Sequence, residues 1–195
     1  MSRMIDFTVP STVPGRTLHA FRCEPDGEVR AVLQLSHGMV EFIDRYKPLA
    51  ESLAGRGILV TGHDHLGHGG SIRTKEDYGY FAEPDGNRAV LADLHAMTVR
   101  TKEQYPGVPY FLLGHSMGSF YARQYLCEYG RELDGAIIMG TGFQPKALVQ
   151  FAKTTCRVLA AFRGWHYRSK LVANLSFLGY NKGLEGRTTH DWLNR

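Results

Sequence analysis

The chain has 195 residues, of which 43% are hydrophobic and 22% charged. Those proportions suit a single domain with a substantial core and exclude a long disordered tail. The net charge of +4 comes from Lys and Arg spread without a cluster, which argues against a nucleic-acid footprint. Cys23, Cys127 and Cys156 are too few and too scattered for a disulfide framework or a thiolate metal site. The sequence shows neither a signal-peptide pattern nor an apolar run of membrane-spanning length, so a cytoplasmic protein with reduced thiols is expected.

Apolar runs alternate with helical patterns along the chain. Residues 7–9 and 18–23, around Pro14-Gly15, predict an antiparallel hairpin. Residues 30–36 predict a strand broken by His37-Gly38. Tyr46, Leu49, Ala50, Leu53 and Ala54 then fall on one helix face, closed by Gly55 and Gly57. A short buried strand at 58–62 leads into a polar, glycine-rich loop from His63 to Ser71. Asp85 is a candidate N-cap for a helix with Val90, Leu94, Met97 and Thr101 inward, stopped by Pro106. Residues 109–114 and 133–139 read as strands, separated by a helix over 117–129.

This alternation predicts an α/β fold: a mostly parallel sheet with helices on both faces and the hairpin at its edge. Beyond residue 140 no strand is evident. Pro145 opens a helix with Leu148, Phe151, Ala152, Thr155, Val158, Leu159 and Phe162 on one face. Residues 1–144 are therefore read as the core and 145–195 as a helical excursion from it.

Chemistry concentrates at Gly114-His115-Ser116-Met117-Gly118, a G-x-S-x-G sequence between an apolar strand and a helix. In a chain with 22 glycines the pattern alone often means only a turn. In the strand–turn–helix setting it predicts a nucleophile elbow, with Ser116 displayed at the end of the strand. Gly114 and Gly118 leave room for the tight turn, and the Met117 amide lies where a helix start favours negative charge. The Met39 amide, after the strand ending at Ser36, is the candidate second donor for an oxyanion. His37 beside it reads as a structural hydrogen-bonding residue.

Three blocks carry a resemblance: Ser36-His37-Gly38-Met39-Val40-Glu41, Gly62-His63-Asp64-His65-Leu66-Gly67-His68-Gly69-Gly70-Ser71 and Gly114 to Ser119. In order and spacing they resemble the monoacylglycerol lipase/lysophospholipase branch of the α/β-hydrolases, also grouped as serine aminopeptidase S33-like. The terminal Thr189-His190-Asp191-Trp192-Leu193 is similar to the start of a helical cap in bacterial members. The resemblance implies an ester hydrolase with Ser116 as nucleophile, acting on a monoacylglycerol or lysophospholipid whose acyl chain lies beneath the cap. It implies no metal and no organic cofactor. His63, His65 and His68 have spacing that zinc could use, but the second set of ligands a complete site needs is missing.

A serine nucleophile needs a base, and the base needs an acid to orient it. Among downstream candidates, Asp134 precedes its strand and so sits at the wrong end of the sheet. His166, His190 and Asp191 fall in the excursion. Upstream, His37, His63, His65 or His115 could come near Ser116 as a rewired base, though His115 should point elsewhere, because the elbow turns only one side chain outward. The resemblance implies two further strands bearing the acid and base, so the chain reads as truncated within the cap, with its C-terminal strands missing. An exposed sheet edge open to self-association and weak turnover by the chain alone are then expected. The alternatives are an S33-type peptidase or acyltransferase, a non-catalytic binding protein that keeps the fold, and an interaction module pairing through its open edge.

Overall fold

The computed structural model describes residues 2–176. The chain divides into two compact units, Met1–Gly142 and Phe143–Arg195. In the first unit β1 (Arg3–Pro10) and β2 (Thr17–Glu24) form the expected antiparallel hairpin. Its turn carries the bond from Arg16 N–H to the Val13 carbonyl at 3.1 Å, with Pro14 and Gly15 between them. Gly15 has φ +72°, the left-handed value a turn of this type demands at its third residue.

Four parallel strands follow: β3 (Ala31–Ser36), β4 (Ile58–His63), β5 (Tyr110–His115) and β6 (Gly135–Met139). The sheet order is β1-β2-β4-β3-β5-β6, with β2 antiparallel to β4 and every later pairing parallel. β3 and β5 therefore lie side by side with their C-terminal ends together.

Alternation along the strands sends side chains to two opposite layers. Leu33, Leu35, Val60 and Leu113 pack with Ile43, Tyr46, Ala50 and Ala54, the last two from α1 (Lys47–Ala54). On the other face Leu112 meets Val90, Leu91 and Leu94 of α2 (Gly86–Gln104) and Tyr121, Ala122 and Tyr125 of α3 (Met117–Tyr129). Burying each such leucine contributes roughly 1.5–3 kcal/mol. One prediction is corrected here: Leu49 is exposed, because the inward stripe runs through Tyr46, Ala50 and Ala54 and leaves Leu49 on its flank.

Polar anchors fix the α2 layer. Asp85 caps α2 by accepting from Arg88 N–H at 3.1 Å. The buried Asp93 accepts from Thr12 N–H at 2.6 Å and from the Ser11 and Thr12 hydroxyls at 2.8 Å, tying the hairpin turn to the helix. Gln34 of β3, fully buried, donates to the Leu94 carbonyl and accepts from Thr98 and Tyr110 hydroxyls, so its amide is satisfied inside the core.

The second unit contains α4 (Lys146–Arg163) and α5 (Lys170–Ser176). The predicted apolar face of α4 is present, but none of the helix is buried, and Phe151 and Phe162 are 65% and 84% exposed. Among the described residues β6 is the last strand and no helix is long and apolar enough to cross a membrane. His190 and Asp191 lie outside the described residues.

Candidate active site

β5 runs straight into α3 with only Ser116 between them. Ser116 takes φ +51° and ψ −116°, a conformation costly for a residue with a side chain, so its surroundings must enforce it. They do so from both sides. Ser116 N–H donates to the Met139 carbonyl at 3.0 Å, extending the β5–β6 ladder by one bond. The Ser116 carbonyl accepts from Ser119 N–H at 2.9 Å and from the buried Ser119 hydroxyl at 2.5 Å.

The two motif glycines are steric necessities. A Cβ on Gly118 would lie 1.9 Å from the Ser36 carbonyl oxygen and 2.7 Å from that of His37. One on Gly114 would lie 2.4 Å from the Gly118 oxygen. Strand β5, the start of α3 and the end of β3 are thus in backbone contact. That contact brings the residues after β3 to Ser116: a Cβ on Gly38 would sit 3.1 Å from the Ser116 Cβ.

Ser116 is partly exposed, and no described side chain hydrogen-bonds its hydroxyl. Met117 is the first residue of α3, so its N–H has no partner within the helix. The Met39 N–H meets no acceptor among the described residues, and Val40 after it has φ +61°. The structure therefore brings Ser116, Met117, Gly38 and Met39 together. Beside them opens a cavity of about 580 Å³ walled by Met39, Val40, Phe42, Tyr78, Phe81 and Met117, among others. It lies wholly within the first unit.

Glu41 closes the Ser36–Glu41 block and carries no sequence signal of a role of its own. It is buried, and its Oε1 accepts from Gly38 N–H, from the Tyr46 hydroxyl at 3.0 Å and from His115 Nδ1 at 2.9 Å. Arg45 lies 3.6 Å from its other oxygen. His115 hydrogen-bonds this carboxylate and makes no hydrogen bond to Ser116. No spacing rule marks a glutamate whose partners are five and 74 residues away.

The histidines of the neighbouring loop pack as a buried group. His37 donates from Nδ1 to the Gly38 carbonyl at 2.7 Å and accepts His65 N–H on Nε2 at 2.9 Å, a structural role. Its ring lies 4.2 Å from that of His65 and 5.3 Å from that of His68. His65 Nε2 pairs with the Ser36 hydroxyl at 3.2 Å, while both nitrogens of His63 are buried without a partner. Burial holds all four imidazoles below their ordinary pKa, His63 at about 4. Asp64 spans the loop, accepting from Ile43 N–H at 2.6 Å and Gly70 N–H at 2.7 Å.

The loop histidines do not converge on a point that a metal could occupy. Among the described residues, only Asp6, His19 and Asp44 bring three ligand atoms within 4.8 Å of one another. The Lys47 ammonium stands 2.7 Å from Asp6 and 3.2 Å from Asp44, so a cation of the chain's own already serves those carboxylates. Asp134, as expected, lies at the opposite end of the sheet from Ser116, accepting Tyr110 N–H at the start of β5.

A parallel strand, a serine at positive φ and an immediate helix, beside a loop from the adjacent strand, define an α/β-hydrolase with a nucleophile elbow. A family model described as serine aminopeptidase, S33, matches residues 27–192, and the chain belongs to that family. It is 38% identical over 113 residues to a monoglyceride lipase homolog of Monkeypox virus, covering 56% of this chain and 38% of that one. It is 34% identical over 155 residues to the monoglyceride lipase of Homo sapiens, covering 75% and 46%. Among solved structures, a thermostable carboxyl esterase from Bacillus coagulans superposes with TM-score 0.83 at 25% identity, covering 97% of this chain and 61% of that one. A monoglyceride lipase from Saccharomyces cerevisiae shares the fold, with TM-score 0.68 at 20% identity over 94% of this chain and 61% of that one. The matches to these two curated relatives span less than half of each relative's length.

Proposed function

We propose that this chain carries the nucleophile and oxyanion half of a serine ester hydrolase whose substrate is a monoacylglycerol. Ser116 Oγ attacks the acyl carbonyl carbon, the C–O ester bond breaks, glycerol leaves with the serine proton, and water then cleaves the acyl-enzyme. The amides of Met39 and Met117 receive the negative oxygen of each tetrahedral intermediate. The cavity beside them takes the apolar part of the ester. The observation that carries this reading is Ser116 at φ +51° with Gly38 packed against its Cβ. Strain of that kind persists only where the surroundings enforce it. The monoacyl substrate rests on the relatives named monoglyceride lipase. Residues 145–195 are read as the start of a helical cap, and a lysophospholipid is the competing substrate in the test.

No described imidazole hydrogen-bonds Ser116, so the chain alone is expected to turn over slowly while still forming a covalent adduct. The test is incubation with an alkyl fluorophosphonate, followed by intact-mass and peptide analysis. A single adduct on Ser116, lost in Ser116→Ala, is expected. An unmodified Ser116 in the folded chain after prolonged exposure overturns the assignment. Release of glycerol from 1-oleoylglycerol, compared with release of acyl chain from lysophosphatidylcholine, separates the two substrate classes.

A cytoplasmic setting is part of the proposal, supported by three cysteines that are all unpaired. So is self-association along β6, the parallel edge strand of the described sheet, which concentration-dependent light scattering would reveal.

A further inference from the structure

We propose that Glu41 is the positioning residue of the oxyanion loop: it consumes the Gly38 amide and so leaves that of Met39 free for substrate. The inference rests on the reading of Ser116 and Met39 given above. Two successive N–H groups follow His37, and only one can face the reacting carbonyl. The Gly38 N–H is taken by Glu41 Oε1, an acceptor three residues ahead that folds back over its own loop. The carboxylate and the Ser116 side chain crowd the same side of Gly38, since a Cβ there would lie 2.6 Å from Glu41 Oε1 and 3.1 Å from Ser116 Cβ.

Oε1 is itself held from two other elements. Tyr46, just ahead of α1, donates its hydroxyl, and His115, at the end of β5, donates from Nδ1. A carboxylate only accepts, so this contact assigns the His115 proton to Nδ1. One buried oxygen thereby links the loop, the helix entry and the strand that carries Ser116. Val40, at φ +61°, is where the loop bends to let Glu41 return. Glu41 touches no reacting atom in this scheme and acts through the Gly38–Val40 backbone.

The test compares wild type with Glu41→Gln and Glu41→Ala. Gln keeps a carbonyl oxygen for Gly38 N–H, whereas Ala frees the loop. Fluorophosphonate labelling of Ser116 is expected to slow about a hundredfold in Glu41→Ala, the scale of losing one oxyanion donor. In Glu41→Gln it should fall by only roughly fivefold, the worth of about one neutral hydrogen bond. In ¹⁵N spectra the Gly38 amide should resonate far downfield in wild type and Glu41→Gln and lose that shift in Glu41→Ala. His115 should pass from the Nδ1–H to the Nε2–H tautomer in the alanine variant. Equal labelling of Glu41→Ala and wild type overturns the proposal. So do Gly38–Val40 resonances unmoved by Glu41→Ala, and that result is read even if wild type is not labelled. Absence of labelling in wild type, with the loop resonances responding as described, instead counts against Ser116 as nucleophile. Thermal unfolding of each variant separates loss of fold from loss of loop geometry.

Discussion

Replacing His63 by leucine should stabilise the protein, and by more in acid than at neutrality. Both ring nitrogens are buried without partners, so removing them should gain about 1–3 kcal/mol at pH 7.5, where the imidazole is neutral folded or unfolded. Burial lowers the folded pKa to about 4, against the 6.5 of an ordinary imidazole. The unfolded chain then binds more protons than the folded one, so stability is fully present above pH 6.5 and is lost as pH falls toward 4. At pH 5 the unfolded state alone is protonated at this residue, a difference of about 1.5 pH units or ~2 kcal/mol. His37, His65 and His68 are depressed in the same direction and remain in the variant, so the difference between the two proteins reads His63 together with its repulsion of His37 and His65. Urea unfolding followed by far-UV circular dichroism at pH 7.5, 6 and 5 measures it. Wild type should lose stability across this range, and His63→Leu should lose about 2 kcal/mol less. Parallel pH dependences in the two proteins, or a variant less stable than wild type at pH 7.5, would refute the burial argument.

Other substitutions probe the elbow and its supports. Gly118→Ala drives a methyl into two backbone carbonyls and should cost about 3 kcal/mol or more and abolish labelling of Ser116, whereas Gly130→Ala, with φ −58° and nothing nearer than 3.6 Å, should be neutral or stabilising by about 0.4–1 kcal/mol. Thermal unfolding of the pair checks the contrast. Asp93→Ala leaves three donors of the hairpin turn without their acceptor and should destabilise by about 1.5–3 kcal/mol, with hydrogen exchange at Thr12 accelerated.

The elbow was legible in the sequence because each of its parts is local. An apolar strand, two glycines flanking the serine by two residues and a helix start fall within nine positions, and each is a backbone demand that composition betrays. The Asp85 cap and the inward face of α2 were readable for the same reason. What escaped were contacts between distant segments. Glu41 reaches His115 across 74 residues, and the closeness of Gly118 to Ser36 depends on β3 and β5 being neighbours in the sheet. Leu49 has the right spacing for the core, yet the helix turns it outward, because periodicity defines a stripe and packing chooses its edge. No strand bearing a downstream acid or base is evident in the sequence, and among the described residues no imidazole hydrogen-bonds Ser116.

The seam where Gly118 meets the Ser36 and His37 carbonyls is main chain against main chain. Rotamers cannot open it, and remodelling the cavity walls leaves it untouched. On the proposed reading, the residues lining the cavity can change to suit one ester after another while this seam holds the spacing between Ser116 and the amides of Met39 and Met117.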